Sequence, residues 1–245
     1  WYYEGVAQAS DLVWKALAPL VPERFSAGSY LSLCATYFSG AAADGLFVHI
    51  EPQNGGWGAT DARDGASGLI AVTDGDTYNY SIELLEAKFP LLIRRYEYNV
   101  ENGVGAGRFR GGFGLLREYE TESDGVILHA SYGRTATPPW PIGGGSPGSL
   151  NGIEVVRGTT RQRLTRPSDF PLDRGDRVRI CTGGGGGWGE PQTRDPAAVA
   201  RDVRDGFVTV ADAAAIYGVV IDPDALKVDP AATDKLRANR SGGAR

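Results

Sequence analysis

A run of five consecutive glycines, Gly183–Gly187, constrains this chain more than any other stretch. A strand-like segment, 177–181, precedes the run, and Trp188 follows it. Glycine has no Cβ, so its backbone can adopt positive φ angles and can lie directly against another segment. That freedom costs conformational entropy on folding, which a bound ligand, a packed neighbour or Trp188 must offset. The run predicts a shaped loop, with a flexible surface loop as the alternative.

Glycine is also abundant elsewhere, at 35 of 245 residues. This is about twice the usual share, which indicates many tight turns between short strands. The net charge of −5 argues against a surface that binds nucleic acid or an anionic membrane. Two cysteines, Cys34 and Cys181, are too few for a disulfide framework and indicate a reducing, cytoplasmic compartment, with one bridge as the alternative. No apolar run approaches the roughly 18 residues that span a bilayer.

Local patterns near the N-terminus and in the middle of the chain predict one helix and one hairpin. A helix is predicted over 6–18, with Val6, Val13 and Leu17 on a broad apolar stripe. Further along, the turn at 122–125 separates two short strands, which predicts a β-hairpin.

The pattern changes after the five glycines, where helix-capping signals appear. Asp195 is a good N-cap and Pro196 suits the first helical position. Thr209 begins a second helix, with Asp212 three residues later. These signals predict a small helical appendix.

The order of elements predicts an α+β fold that is rich in β-structure. We expect a glycine-rich, sandwich-like core with an N-terminal helix over residues 1–191. The helical appendix is expected over 192–228, and the polar tail over 229–245 is expected to be flexible.

Motifs for cofactors and metals are missing from the sequence. A phosphate-binding loop requires a lysine after its last glycine, and Trp188 stands at that position. His49 and His129 each lie in a predicted strand without a second ligand at metal spacing, so each is expected to make a structural hydrogen bond. The sequence thus predicts no cofactor and no metal bound by this chain alone, and it leaves the catalytic residues unassigned.

Charged residues inside two glycine-rich loops, the first at 54–68 and the second at 103–114, are candidate site residues. Arg63 and Asp64 sit together in the first loop, where they could bind an anion or orient a substrate, or form a salt bridge within the loop. Arg108 and Arg110 lie two residues apart in the second loop. On a strand-like segment they would face the same side and could hold a carboxylate or a phosphate. The alternative is a solvated pair that closes a turn.

Taken in order, the motifs resemble the C-terminal half of the hydantoinase B/oxoprolinase family. The segments that carry the resemblance are Gly55-Gly-Trp-Gly, Arg63-Asp64-Gly65, Asn79 with Phe89-Pro90, Gly105–Gly114, Gly183–Pro191 and Arg194-Asp195-Pro196. The resemblance as a whole covers nearly the entire chain, from about residue 10 to residue 222.

The resemblance implies ATP-dependent ring-opening hydrolysis of cyclic amides through a phosphorylated intermediate, as in 5-oxoprolinases, N-methylhydantoinases and lactamases. The related acetone and acetophenone carboxylase subunits imply the alternative of ketone carboxylation. ATP and Mg are expected on a partner subunit of the hydantoinase A type. A divalent metal is expected in the N-terminal half of the B-type subunit, which this sequence does not include. We therefore expect the chain to be part of a catalytic subunit that is inactive in isolation.

The same resemblance suggests roles for individual residues. Arg63, Asp64 and Asn79 would line the substrate or interdomain cleft, and Arg108 and Arg110 would bind an anion. The stretch 71–78 departs from the family by lacking a histidine and a Thr-Asn pair, and the segment after Gly28 also differs. These departures put a standard hydantoinase substrate in doubt and leave room for a carboxylase relative.

A non-catalytic assembly module is the remaining alternative. The glycine loops and the Pro-Pro-Trp-Pro stretch at 138–141 would then pack on partner subunits. In the family context we interpret the five glycines as a backbone hinge before the helical appendix, packed against a neighbouring segment and anchored by Trp188.

Overall fold

The computed structural model describes residues 2–42, 45–75 and 77–242, and these form two antiparallel sheets and five α-helices. The helices are α1 (Tyr2–Leu17), α2 (Ile82–Lys88), α3 (Pro196–Arg204), α4 (Val210–Tyr217) and α5 (Pro230–Gly242). The strands are β1 (Ala35–Ala42), β2 (Gly45–Glu51), β3 (Leu91–Tyr98), β4 (Leu115–Thr121), β5 (Val126–Ser131), β6 (Gly152–Arg157), β7 (Thr160–Leu164), β8 (Phe170–Leu172) and β9 (Arg177–Cys181). No helix in the described part of the chain is long and apolar enough to cross a membrane.

The two sheets share one apolar core. The first sheet has the strand order β2-β1-β5-β8, and the second has the order β3-β4-β9-β6-β7. Phe38 and Leu128 of the first sheet lie in the same buried cluster as Tyr119 and Val178 of the second. The rings of Phe38 and Tyr119 tilt against each other, with their centroids 4.9 Å apart. The predicted α+β fold with a sandwich-like core is confirmed.

The hairpin predicted around the turn at 122–125 is wrong. Strand β4 pairs with β3 and β9, whereas β5 pairs with β1 and β8, so the turn carries the chain from one sheet to the other. A turn signal reports only that the chain reverses, and it does not report which sheet the next strand joins.

Helix α1 is confirmed, but its apolar stripe points away from the core. Val6, Val13 and Leu17 are 44%, 55% and 42% exposed. The helix instead buries Ala7 and Asp11. The small alanine permits close approach, and the aspartate has polar partners in the body of the protein, so this face packs inward although it is the less apolar one.

The helical appendix begins with the predicted caps. The Asp195 carboxylate accepts a hydrogen bond from the amide of Ala197, and Thr209 Oγ1 accepts one from the amide of Asp212. Both signals are local, and both are confirmed.

The tail over 229–245, predicted to be flexible, instead contains helix α5; residues 243–245 lie outside the described part of the chain. The Asp229 carboxylate caps this helix by accepting from the amide of Ala232, and Pro230 occupies its first position. Arg240 Nη1 donates to the carbonyl of Ala215 in α4, which fixes the far end. The tail is helical because it repeats the Asp-Pro signal that begins α3.

Backbone segments that meet without intervening side chains form what we call the glycine layer: 26–30, 55–68, 103–114, 140–149 and 183–189. The five-glycine run lies at its centre, and its backbone is hydrogen-bonded to each of the other four segments. The bonds are Gly56 N to Gly183 O at 3.0 Å, Gly185 N to Gly112 O at 2.9 Å, Gly186 N to Gly28 O at 2.8 Å and Gly187 N to Ser146 O at 3.0 Å.

Close approach, rather than positive φ, explains the five glycines. None of Gly183–Gly187 has a positive φ angle. A Cβ on Gly185 would lie 2.0 Å from the carbonyl oxygen of Trp57, and one on Gly187 would lie 2.0 Å from that of Ala106. The expectation of a loop packed against its neighbours is confirmed. The hinge interpretation is wrong, because the run is buried and hydrogen-bonded on several sides.

A buried ion pair joins the two sheets. Glu51 of β2 is 2% exposed and Arg117 of β4 is 1% exposed, and Arg117 Nη1 lies 2.8 Å from Glu51 Oε2. The same carboxylate accepts from the Tyr119 hydroxyl at 2.8 Å, bonds to His49 Nε2 at 3.1 Å and accepts from the amide of Tyr80 at 2.7 Å. His49 thus has the structural hydrogen bond that its sequence context predicts.

The surroundings of Glu51 keep its carboxylate ionised. Burial by itself raises the pKa of the Glu51 carboxyl, but hydrogen bonds from His49 and Tyr119 and the charge of Arg117 more than offset this and lower it. Burial also raises the pKa of Tyr119 well above its usual value, so the phenol remains protonated and donates.

The thiols are both free. Cys34 is buried, Cys181 is half-buried, and the single bridge that composition left open is not formed between them.

Candidate functional site

Two adjoining cavities open around Arg63 and Asp64 in the first glycine-rich loop. The larger, of about 420 Å³, lies between α1, the segment 26–31 and that loop, and we call it the apolar cavity. The smaller, of about 320 Å³, lies between the same loop, the second glycine-rich loop and the start of α3, and we call it the basic cavity. Arg63 and Asp64 line both.

The apolar cavity has an aromatic wall and a fixed helix on one side. Trp14 of α1 and Trp57 of the glycine layer both line it. Helix α1 is held in place by Asp11, which pairs with Arg134 and accepts from Trp140 Nε1 at 3.0 Å. Trp140, in the Pro-Pro-Trp-Pro stretch, is therefore buried inside the chain and anchors α1 rather than an external partner.

The basic cavity is built on a charge network between the glycine layer and α3. Arg194 donates to both carboxylate oxygens of Asp64, Nη1 to Oδ1 at 2.6 Å and Nη2 to Oδ2 at 2.7 Å. Its Nη2 also donates to Asp202 Oδ2 at 2.8 Å. The amide of Arg110 donates to Asp64 Oδ1 at 2.9 Å, which completes the network. Paired bonds of this kind fix the direction of both side chains.

The network holds both of its charges at neutral pH. Burial by itself raises the pKa of the Asp64 carboxyl, but the hydrogen bonds and charge of Arg194 more than offset this, so the pKa lies below its usual range. Burial alone would lower the pKa of the Arg194 guanidinium, but Asp64 and Asp202 raise it above its ordinary value.

Asp64→Asn is expected to destabilise the protein at neutral pH by about 1–2 kcal/mol, discounted because Asp64 is one-third exposed and solvent screens its pairing. The folded state lowers the pKa of Asp64, so its contribution is fully present above the unfolded value of about 3.9 and is lost as pH falls through the lower folded value. The difference in unfolding free energy between wild type and variant should therefore shrink toward zero in acid, as measured by urea denaturation from pH 7 to pH 2.

The control for this measurement is Asp61→Asn, which removes a carboxylate from an exposed position in the same loop. It should leave stability within about 0.5 kcal/mol of wild type at every pH. An Asp64→Asn difference that persists unchanged in acid would contradict the assigned pairing.

The structure brings three of the five predicted site residues together. Arg63, Asp64 and Arg108 all line the basic cavity. Arg110 is 9% exposed and turns away: its Nε donates to Asp202 Oδ1 at 3.1 Å, and its guanidinium lies 5.4 Å from the ring centre of Phe207. Arg108 and Arg110 therefore do not face the same side. Arg110 does hold a carboxylate, but it belongs to α3 of the same chain.

Asn79 lies apart from the basic cavity, in the segment before α2. Its Nδ2 donates to the carbonyl of Pro52 at 2.8 Å, so the side chain connects that segment to the end of β2. In contrast, Arg194 and Arg201 line the basic cavity, although the sequence pattern did not indicate them as site residues. The available signal was the placement of Arg194 directly before the Asp195-Pro196 helix start.

Donor sets for a metal are not assembled in the described residues. Within them, no group of three or more His, Cys, Asp or Glu side chains is arranged to hold a metal ion. His129 Nδ1 accepts from the amide of Asp169 at 3.2 Å, and His49 bonds to Glu51 inside the core. A divalent metal implied by the family has no fitting site on these side chains.

Comparison with known proteins points to one family. The family model for hydantoinase B/oxoprolinase matches residues 2–191. A protein of Pseudomonas sp. strain NS671, described as a candidate B-type subunit of a D-/L-hydantoinase, is 31% identical over 231 residues, covering 93% of this chain and 38% of that protein. The ATP-dependent caprolactamase from Pseudomonas jessenii superposes with a TM-score of 0.75 at 28% identity, covering 91% of this chain and 40% of the other.

A second solved structure shares the fold at lower identity. Nucleotide-free acetone carboxylase superposes with a TM-score of 0.76 at 20% identity, covering 94% of this chain and 36% of that one. The chain thus spans about two fifths of the length of each of these three relatives.

Proposed function

Because the chain belongs to the hydantoinase B/oxoprolinase family, we propose that it forms part of the B-type subunit of an ATP-dependent, multisubunit enzyme that opens cyclic amides by hydrolysis. The observation that carries the proposal is the similarity across nearly the whole chain to a caprolactamase that is described as ATP-dependent. Caprolactam and hydantoin are both cyclic amides, so the two relatives named for them share a ring amide bond as the type of bond in the substrate.

The paired cavities support a role in holding the substrate. The apolar cavity suits the carbon skeleton of a small ring, and Arg63 with Asp64 at its junction with the basic cavity offers polar contacts. In this proposal Arg108 binds an anionic group, whereas Arg110 and Arg194 position Asp64 from behind. Asn79 contributes by holding the segment before α2 in place.

Exposed apolar faces support assembly with further protein. Leu46, Val48 and Ile50 alternate along the edge strand β2 and are 92%, 61% and 53% exposed. The outward stripe of α1 is apolar as well. Contiguous apolar surface of this kind is typical of contact regions. The proposed neighbours are the rest of the B-type subunit, which would supply the divalent metal, and a hydantoinase A-type subunit, which would bind ATP and Mg. The complex is proposed to be cytoplasmic.

Carboxylation of a ketone is the second candidate activity, and the shared fold with acetone carboxylase favours it. Reconstitution separates the two. The chain is co-produced with an A-type subunit and the remaining B-type portion. The complex is then supplied with ATP and one substrate at a time. The substrates are a lactam, a hydantoin or 5-oxoproline for hydrolysis, and a ketone with bicarbonate for carboxylation. ATP-dependent release of a ring-opened product supports hydrolysis, and fixation of labelled bicarbonate supports carboxylation.

The isolated chain is expected to show neither activity. A chain that joins the complex while neither reaction proceeds, although the other subunits hydrolyse ATP, would favour the non-catalytic assembly module. Gel filtration of the chain with and without the other subunits measures assembly independently of chemistry.

Arg108→Ala is expected to lower the turnover of the reconstituted complex about 10–100-fold, since it removes one charge-assisted contact to the substrate. The melting temperature should not change, because the Arg108 side chain is exposed and its structural bonds are made by its backbone. Arg24→Ala, which removes an exposed arginine elsewhere, is the matched control and should leave turnover unchanged. A joint fall in turnover and melting temperature for Arg108→Ala would make the residue structural.

A further inference from the structure

The basic cavity carries more positive charge than its own carboxylates neutralise. Four arginines line it, Arg63, Arg108, Arg194 and Arg201, against the two carboxylates of Asp64 and Asp195. The formal excess is two positive charges in a space of about 320 Å³. These arginines lie together in a protein whose net charge is −5.

Both carboxylates in the cavity are already engaged. Asp64 gives both oxygens to Arg194 and accepts from the backbone of Arg110 as well. Asp195 Oδ1 caps α3 by accepting from the amide of Ala197. Asp64 is therefore saturated by its contacts, and one oxygen of Asp195 is used as a helix cap.

Three guanidinium groups in the cavity, those of Arg63, Arg108 and Arg201, form no ion pair with any described residue. All three side chains are exposed at the cavity. Arginine forks placed together without carboxylates favour a ligand with several anionic oxygens.

The backbones behind two of these arginines are fixed. The amide of Arg108 donates to the carbonyl of Gly189 at 3.1 Å, and its own carbonyl accepts from Arg194 Nη1 at 3.2 Å. The amide of Arg63 donates to Thr60 Oγ1 at 3.2 Å, and its carbonyl accepts from the amide of Thr60 at 3.0 Å. A fixed backbone with a free guanidinium head reduces the entropy lost when an anion binds. The first turn of α3, through Ala198, adds the positive end of a helix to the same cavity.

We infer that the basic cavity binds a phosphoryl group through Arg63, Arg108 and Arg201. A phosphate dianion matches the excess of two charges, and its oxygens can each meet a guanidinium fork, whereas a single carboxylate leaves one charge unmatched. The source is either inorganic phosphate or a phosphorylated small molecule whose carbon skeleton enters the adjoining apolar cavity past Arg63. Only the identity of that phosphorylated molecule rests on the proposed ATP-dependent reaction.

The test is calorimetric titration of inorganic phosphate and of phenyl phosphate into the 245-residue chain at low ionic strength. We expect both to bind, with at least about tenfold weaker binding by Arg108→Ala and by Arg201→Ala. Arg24→Ala should bind both as wild type does. Circular dichroism melting of each variant verifies that the fold is intact, and Arg108→Lys keeps the charge and should recover part of the affinity.

The two probes distinguish the sources of the phosphoryl group. Tighter binding of phenyl phosphate than of inorganic phosphate, reduced by Trp14→Ala, indicates a phosphorylated organic molecule. Equal binding of the two probes indicates inorganic phosphate. Absence of binding, equal losses in Arg24→Ala and Arg108→Ala, or equal affinity for acetate would overturn the inference.

The outcome is separable from the proposed function. If the chain binds phosphate through these arginines but the complex opens no ring, the phosphoryl site stands and the proposed reaction is refuted. If the complex opens a lactam with ATP but the chain binds no phosphate, the proposed reaction stands and the phosphoryl site is refuted.

Discussion

Gly185→Ala is expected to destabilise the protein by at least about 3 kcal/mol, equivalent to roughly 6–12 °C in melting temperature for a chain of this size. The added Cβ would lie 2.0 Å from the carbonyl oxygen of Trp57 and 2.2 Å from its carbonyl carbon. Both atoms belong to a backbone that is itself hydrogen-bonded to Gly112 and Ala66, so no side chain can rotate to make room. Thermal and urea denaturation measure the loss.

Gly5→Ala is the matched control, because nothing lies within 4 Å of a Cβ on Gly5. This glycine occupies an exposed position in α1, where alanine is the better helix former by about 1 kcal/mol. The control should therefore be as stable as wild type or slightly more stable. A Gly185→Ala variant that behaves like the control would show that the glycine layer has room for side chains.

Glu51→Gln is expected to destabilise the protein by about 3–5 kcal/mol, since it removes the negative charge and leaves Arg117 charged and buried between the sheets. The cation–π contacts of Arg117 with Tyr96 and Tyr119, whose ring centres lie 4.8 and 4.9 Å from its guanidinium carbon, cannot replace an anion. Urea denaturation at pH 7 measures the effect. Glu97→Gln, which breaks an exposed ion pair with Arg95, should cost no more than about 1 kcal/mol.

A second substitution tests whether the loss of stability in Glu51→Gln comes from the charge of Arg117, which that variant leaves without a partner. Combining Glu51→Gln with Arg117→Met removes both charges, and the double variant is expected to be at least about 1 kcal/mol more stable than Glu51→Gln alone. Costs that simply add would mean that Glu51 and Arg117 contribute independently, which the 2.8 Å separation of their charged atoms argues against.

Local signals in the sequence were reliable predictors of helix starts. Asp195-Pro196 and Thr209 with Asp212 mark α3 and α4, because a cap needs only residues within one turn of it. The same signal at Asp229-Pro230 begins α5, and the prediction of a flexible tail there was wrong.

Features that depend on distant partners could not be predicted from local pattern. The turn at 122–125 was predicted correctly as a turn but joins strands of different sheets, and the apolar stripe of α1 faces outward because Asp11 has its partners inside. The glycine run was expected to pack against a neighbouring segment, but which segment could not be read from the sequence: the carbonyl groups that exclude a Cβ belong to residues far away in sequence, such as Trp57.

The candidate site also combines residues whose proximity the sequence predicted with residues whose proximity it did not predict. Arg63 and Asp64 are adjacent in sequence, so their proximity was certain, and Arg108 joins them through the folding of the second glycine-rich loop. Arg194 pairs with a carboxylate 130 residues earlier in the chain, and no spacing rule connects the two. Arg110 is buried and Arg108 is exposed, although the sequence pattern predicted the same role for both arginines.

The order in which the glycine layer is assembled has a consequence for folding kinetics. Gly186 bonds to Gly28, and Gly183 bonds to Gly56, so the layer closes loops of well over a hundred residues. Contacts between positions so far apart in sequence slow folding, because the entropy of loop closure is lost before the contacts form. During synthesis, the four earlier segments have no central segment to bond to until the five glycines emerge from the ribosome. The glycine layer therefore completes its folding only after Gly187 has been made.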